Sequence, residues 1–115
     1  MGDFNDTPSS SALSPLTESP GKDDNLPRLV NMASDFRGEG TIRYEGKWEL
    51  IDMFFVSPSL APTAMMKIRR LPFLMTRDPP HGGEKPLRTY VGPRYAGGVS
   101  DHCPITIWIT FPMRL

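Results

Sequence analysis

From Thr41 the chain alternates: Ile42 and Tyr44 stand against Arg43 and Glu45, Gly46-Lys47 follow, and Trp48 to Val56 is rich in β-branched and aromatic residues. A period of two interrupted by glycine predicts a β-hairpin turning at Gly46-Lys47. Its second arm, Leu50-Ile51-Asp52-Met53-Phe54-Phe55-Val56, is apolar on both faces, which suits a strand inside a packed layered fold. Near the end, Ile105, Ile107, Ile109 and Phe111 alternate with Thr106, Trp108 and Thr110, a last strand with one apolar face. Between Asn25 and Arg37 the apolar residues Leu26, Leu29, Val30, Met32, Ala33 and Phe36 fall close to helical spacing. The spacing predicts a helix capped by Asn25 and ended by Gly38 and Gly40. Residues 6–24 are broken up by prolines and leave room for a helical turn near Ser10 to Leu16. Residues 76–98, with Asp78-Pro79-Pro80-His81-Gly82-Gly83 and Gly92-Pro93, read as a second loop-rich stretch.

The chain is 115 residues long, one domain on length alone, and 38% of it is apolar. A repeat array, a coiled coil and a collagen are poor fits. A single cysteine, Cys103, excludes an intrachain disulfide framework and a multi-cysteine zinc site. The longest apolar runs are far shorter than the ~20 residues a membrane-spanning helix needs. The net charge is zero, but residues 1–40 carry three bases against seven acids and residues 41–115 ten against six. Seven bases fall between Lys67 and Arg94, against Asp78 and Glu84, a field that attracts phosphate-bearing ligands or is a solvated surface.

Three short stretches carry chemistry: Gly2-Asp3-Phe4-Asn5-Asp6, Ile51-Asp52-Met53 and Ser100-Asp101-His102. Singly, each has an ordinary explanation. An Asp two residues before an Asn is also an Asx turn, Asp52 is also a buried acid hydrogen-bonded for the sake of the fold, and His102 is also a loop histidine. A carboxylate in an apolar run nevertheless needs a partner, and a base is one that satisfies it. Arg88, Tyr90, Arg94 and Tyr95 read either as a substrate-facing loop, Arg for phosphate and Tyr for stacking, or as an Arg-Tyr clasp bracing that loop. Cys103 reads as a small packed side chain, and His81 as a mobile loop residue.

The order of the motifs adds what none carries alone. Gly-Asp-Phe-Asn-Asp-x-Pro, then Gly-Thr-x-x-Tyr-x-Gly-x-Trp-x-x-Ile-Asp, then Arg-Thr-Tyr-x-Gly-x-x-Tyr-x-Gly-Gly-x-Ser-Asp-His-x-Pro resembles the endonuclease/exonuclease/phosphatase superfamily. The group includes pancreatic-type deoxyribonuclease, and this pattern is similar to its bacterial branch of unassigned substrate. The resemblance implies an α/β (α+β) fold: the C-terminal half of a four-layer sandwich, two packed and mainly antiparallel sheets flanked by helices. It implies that Asp3 positions and helps deprotonate an attacking water, that Asn5 holds a phosphate oxygen, that Asp52 orients His102, and that His102 contacts the scissile phosphate. Asp101 would belong to the metal-binding end, with Mg²⁺ or Mn²⁺ as cofactor. Arg88, Tyr90 and Arg94 would face the substrate, a phosphate ester, nucleic acid among the candidates.

Relatives of this kind carry an upstream half with an Asn and a Glu that serve the metal, so residues 1–115 are expected to form a partial domain. On that expectation the chain alone is a metal-dependent phosphoester hydrolase in kind but inactive by itself, and its exposed sheet invites self-association. The alternatives are a degenerate remnant or interaction module of the same fold without catalysis, and a nucleic-acid binder using the basic stretch.

Overall fold

The computed structural model describes residues 1–18 and 28–112. The strands pair where the period-two patterns fall. β3 (Ile42–Tyr44) and β4 (Lys47–Glu49) form an antiparallel hairpin with Tyr44 opposite Lys47. Its turn is Glu45-Gly46, one residue earlier than the sequence pattern predicts. Both residues take positive φ, 47° and 79°, the pair of left-handed conformations that a two-residue hairpin turn requires.

The apolar arm after Trp48 is not one strand. It is an extended run that changes partner twice. β5 (Asp52–Met53) pairs with β1 (Gly2–Asp3), and β6 (Phe55–Val56) pairs with β2 (Val30–Asn31). Each partner covers one segment of a run that has no polar face, which is why its burial is nearly continuous: Leu50, Ile51, Met53, Phe54 and Val56 are buried and Asp52 is only half-buried.

The helix expected over Asn25–Arg37 is absent from 28–37; residues 25–27 lie outside the described residues. Local polar chemistry overrides the helical spacing. The Asn31 side chain is buried, its Oδ1 accepts from the Ala33 backbone N–H at 2.9 Å, and this Asx turn competes with helical hydrogen bonding. A single turn, Ser11–Leu13, followed by α1 (Ser14–Thr17), does form where a helical turn is expected, and it sends Leu13 into the core. Residues 19–24 of the first loop-rich stretch lie outside the described residues.

β7 (Ala64–Ile68) pairs along its whole length with β12 (Ile105–Ile109). One face sends Met66, Ile68, Ile105 and Ile107 against the cluster of Leu13, Ala33, Leu50, Met53 and Phe54. The other face leaves Met65 and Trp108, which oppose each other, 55% and 62% exposed. Residues 76–98 hold two short hairpins, β8 (Met75–Arg77) with β9 (Glu84–Pro86) and β10 (Tyr90–Val91) with β11 (Arg94–Tyr95). The chain is therefore α/β in class, mainly antiparallel, with the described strands arranged as six two-stranded sheets around one apolar cluster. Among the described residues no helix is long and apolar enough to cross a membrane.

Candidate active site

β1 and β5 run antiparallel with Asp3 directly opposite Asp52. Phe4 continues the pairing by donating its N–H to the Ile51 carbonyl at 2.8 Å, and its ring meets Phe55 edge-on, 5.0 Å between centroids. These contacts anchor the first turn of the chain on the core. The Asn5 N–H donates to Asp3 Oδ1 at 2.8 Å and Asn5 sits at φ 51°, a left-handed conformation that asparagine tolerates well. The Asx turn is therefore present, and it commits one carboxylate oxygen of Asp3 while leaving the other available. The Asn5 side chain is exposed.

His102 arrives from the far end of the chain. It forms an isolated antiparallel bridge with Ile42, its N–H donates to Ser100 Oγ at 3.0 Å, and the next residue, Cys103, donates its N–H to the Thr41 carbonyl at 2.7 Å. The β3–β4 hairpin thus holds the backbone on which the imidazole is mounted. Ser100 is a residue that motif reading includes but assigns no role; a serine two residues before the histidine was its signal.

His102 Nδ1 lies 2.8 Å from Asp52 Oδ2. With the carboxylate as acceptor, Nδ1 carries the proton and donates, and Nε2 is turned toward two further acids. Asp101 Oδ1 is 3.7 Å and Asp3 Oδ2 3.9 Å from Nε2. Burial is graded: the side chains of Asp52 and His102 are 15% and 23% exposed, those of Asp3 and Asp101 about half exposed, at 49% and 48%. Burial alone pushes the His102 pKa down. The hydrogen bond to Asp52 and the negative charges of Asp52, Asp101 and Asp3 outweigh it, so the imidazole holds its proton more firmly than a free one.

Cys103, beside it, is buried with Sγ 3.8 Å from Met75 Sδ, and burial raises its thiol pKa, with Arg70 acting in the opposite direction and Asp52 adding to the rise. A neutral packed thiol is a poor nucleophile.

The donor set fits a divalent cation. One ligand atom each from Asp3, Asp52 and His102 lies within 4.8 Å of the others. Within that group Asp52 and His102 already satisfy each other, while the carboxylates of Asp3 and Asp101 are half-exposed.

Of the other sequence-predicted residues, Arg88 and Tyr90 wall an open cleft of about 310 Å³ together with Ser100 and Asp101. Arg94 does not line it; Arg94 is exposed on β11, where it pairs with Val91. Tyr90 and Tyr95 meet edge-on at 5.6 Å, so the bracing contact in this loop is between two tyrosines.

The imidazole of His102 is thus backed by one acid and flanked by two more, next in the chain to Ser100 and Asp101 of the open cleft. Residues 1–111 match the profile described as the Endonuclease/Exonuclease/phosphatase family, and the chain belongs to that family, whose members are nuclease- and phosphatase-type hydrolases that generally depend on divalent metals. No curated protein and no solved structure matches the chain.

Proposed function

We propose that this protein hydrolyses phosphate esters with Mg²⁺ or Mn²⁺, by in-line attack of water at phosphorus. The observation that carries the reading is the 2.8 Å contact between Asp52 and His102, with Asp3 and Asp101 on the opposite side of the ring.

Asp101 would hold the cation, which neutralises charge on the phosphate as a Lewis acid when bound. Asp3 Oδ2 accepts the proton of the attacking water. The exposed Asn5 amide donates to a non-bridging phosphate oxygen. His102 donates from Nε2 to the phosphate as negative charge grows there, and Asp52 keeps the other ring proton on Nδ1 so that Nε2 faces the reaction. The P–O ester bond breaks as the new P–O bond forms, and the leaving oxygen takes up a proton from solvent while Asp3 returns the water's proton to solvent. Arg88 and Tyr90 line the approach. The raised pKa of His102 supports a donor that is still protonated near neutral pH.

The test is release of nitrophenol from bis(p-nitrophenyl) phosphate by the protein in Mg²⁺ or Mn²⁺. Metal-dependent turnover is expected, with Asp3→Ala and His102→Ala each lowering it by at least about 10²-fold. Turnover that survives both substitutions, or no turnover with either metal, contradicts the reading.

A further inference from the structure

His81, like His102, has its ring fixed by a carboxylate. Its Nδ1 lies 3.2 Å from Oδ1 of Asp78, a carboxylate that is buried at 4% exposure. The other oxygen of Asp78 faces Arg43 Nε at 3.6 Å, a buried nitrogen with no hydrogen-bond partner. The remaining Arg43 nitrogens donate to the carbonyls of Gly82, at 2.9 Å, and Glu84. One buried guanidinium therefore fastens the β8–β9 turn onto β3. The β3–β4 turn closes the same contact: a Cβ on Gly46 would come within 2.7 Å of His81 Cβ. Only glycine there lets the histidine sit down against the hairpin.

A surface histidine needs none of this bracing. The braced ring lines a cleft of about 250 Å³, together with Thr76, Lys85, Arg88 and Glu45. Asp78 is spent on Arg43 and His81, so Lys85 and Arg88 outweigh Glu45 and the cleft is cationic. Arg88 also walls the cleft that contains Ser100 and Asp101, so the two clefts share a side chain.

We propose that this second cleft binds another phosphate of the substrate, an inference that rests on the phosphoester hydrolase reading. The substrate class is then a molecule with at least two phosphates, one over His102 and the next held by Lys85, Arg88 and the Nε2 side of His81. Asp78 is a positioning residue, fixing the ring through Nδ1. A phosphodiester oligomer and a small bisphosphate share this chemistry.

The experiment is NMR of the isotopically labelled 115-residue chain, metal-free, reading the imidazole signals of His81 and His102. Inorganic phosphate is titrated first, then tetrathymidylate and, separately, propane-1,3-diyl bisphosphate. Phosphate is expected to move the His81 signals, and Lys85→Gln and Arg88→Gln each to weaken that binding about tenfold, while Lys85→Arg retains it. Unchanged His102 signals in the free variants report an intact fold. At least one of the two longer probes is expected to bind more tightly than inorganic phosphate and to move both histidines; whichever gains more identifies the source. His81 signals that do not move, binding indifferent to both Gln substitutions, or no gain with either longer probe would overturn the proposal. If only His102 responds, the second cleft fails and the reaction centre stands. If the longer probes too move only His81, the assignment of a shared substrate fails, while the hydrolase reading is decided separately by the turnover assay.

Discussion

Asp3 and Asp52 stand opposite each other across the β1–β5 pair, and the imidazole of His102 reaches both carboxylates, 2.8 Å from Asp52 and 3.9 Å from Asp3. Like charges directly opposed on a sheet repel, and a cation at the same spot reverses the sign of the interaction. The sequence separates these three residues almost as widely as the chain allows; the fold brings them together by pairing β1 with β5 and bridging His102 to Ile42.

The acids make His102 a pH-dependent contributor to stability. Its folded pKa is raised above the ordinary 6.5, so its contribution is fully present below that value and is lost as pH rises through the folded pKa. In metal-free solution, the NMR titration midpoint of His102 is expected above 6.5 and Asp52→Asn is expected to lower it. Urea unfolding should give a stability gap between wild type and His102→Gln that is larger at about pH 6 than at about pH 9. A gap that widens with pH would contradict the sign of the shift.

Gly40 precedes the hairpin that carries Ile42, and a Cβ there would lie 2.5 to 2.7 Å from backbone atoms of Glu49. Backbone cannot yield as a side chain can. Gly40→Ala is expected to destabilise the protein by about 1–3 kcal/mol in urea unfolding, and to disturb the His102 signals through the bridge to Ile42. An unchanged unfolding midpoint would mean that the hairpin is less tightly joined than its geometry implies.

A cation held at Asp101, as proposed, would stabilise the folded state by mass action. At a Mn²⁺ concentration about a hundred times its Kd, thermal unfolding should shift by the equivalent of about 2.7 kcal/mol, and EDTA should reverse it. Asp101→Ala should shrink the shift, whereas Glu49→Ala, on the hairpin, should leave it intact.

Much of this was legible in the residues. Alternation predicted the hairpin from Ile42 and the strand from Ile105, because a period of two survives wherever one face is buried. A carboxylate at position 52 in an apolar run called for a partner, and His102 is the one it has. What escaped was decided by contacts between distant segments. The Asn25–Arg37 spacing is helical, but the Asn31 side chain takes the local hydrogen bond and β6 takes the strand. The arm from Trp48 to Val56 carries no mark of where it changes partner. His81 looked like a mobile residue between Pro-Pro and Gly-Gly, since nothing local announces that Arg43, far upstream, fastens its loop.

The most direct test is a double-mutant cycle on phosphodiester turnover by the protein in Mg²⁺, with Asp52→Ala, His102→Ala and the pair. If Asp52 works through the imidazole it touches, the double variant will be no slower than His102→Ala alone. If the two losses multiply, or if His102→Ala leaves turnover intact, Asp52 and His102 do not form the hydrolytic couple described above.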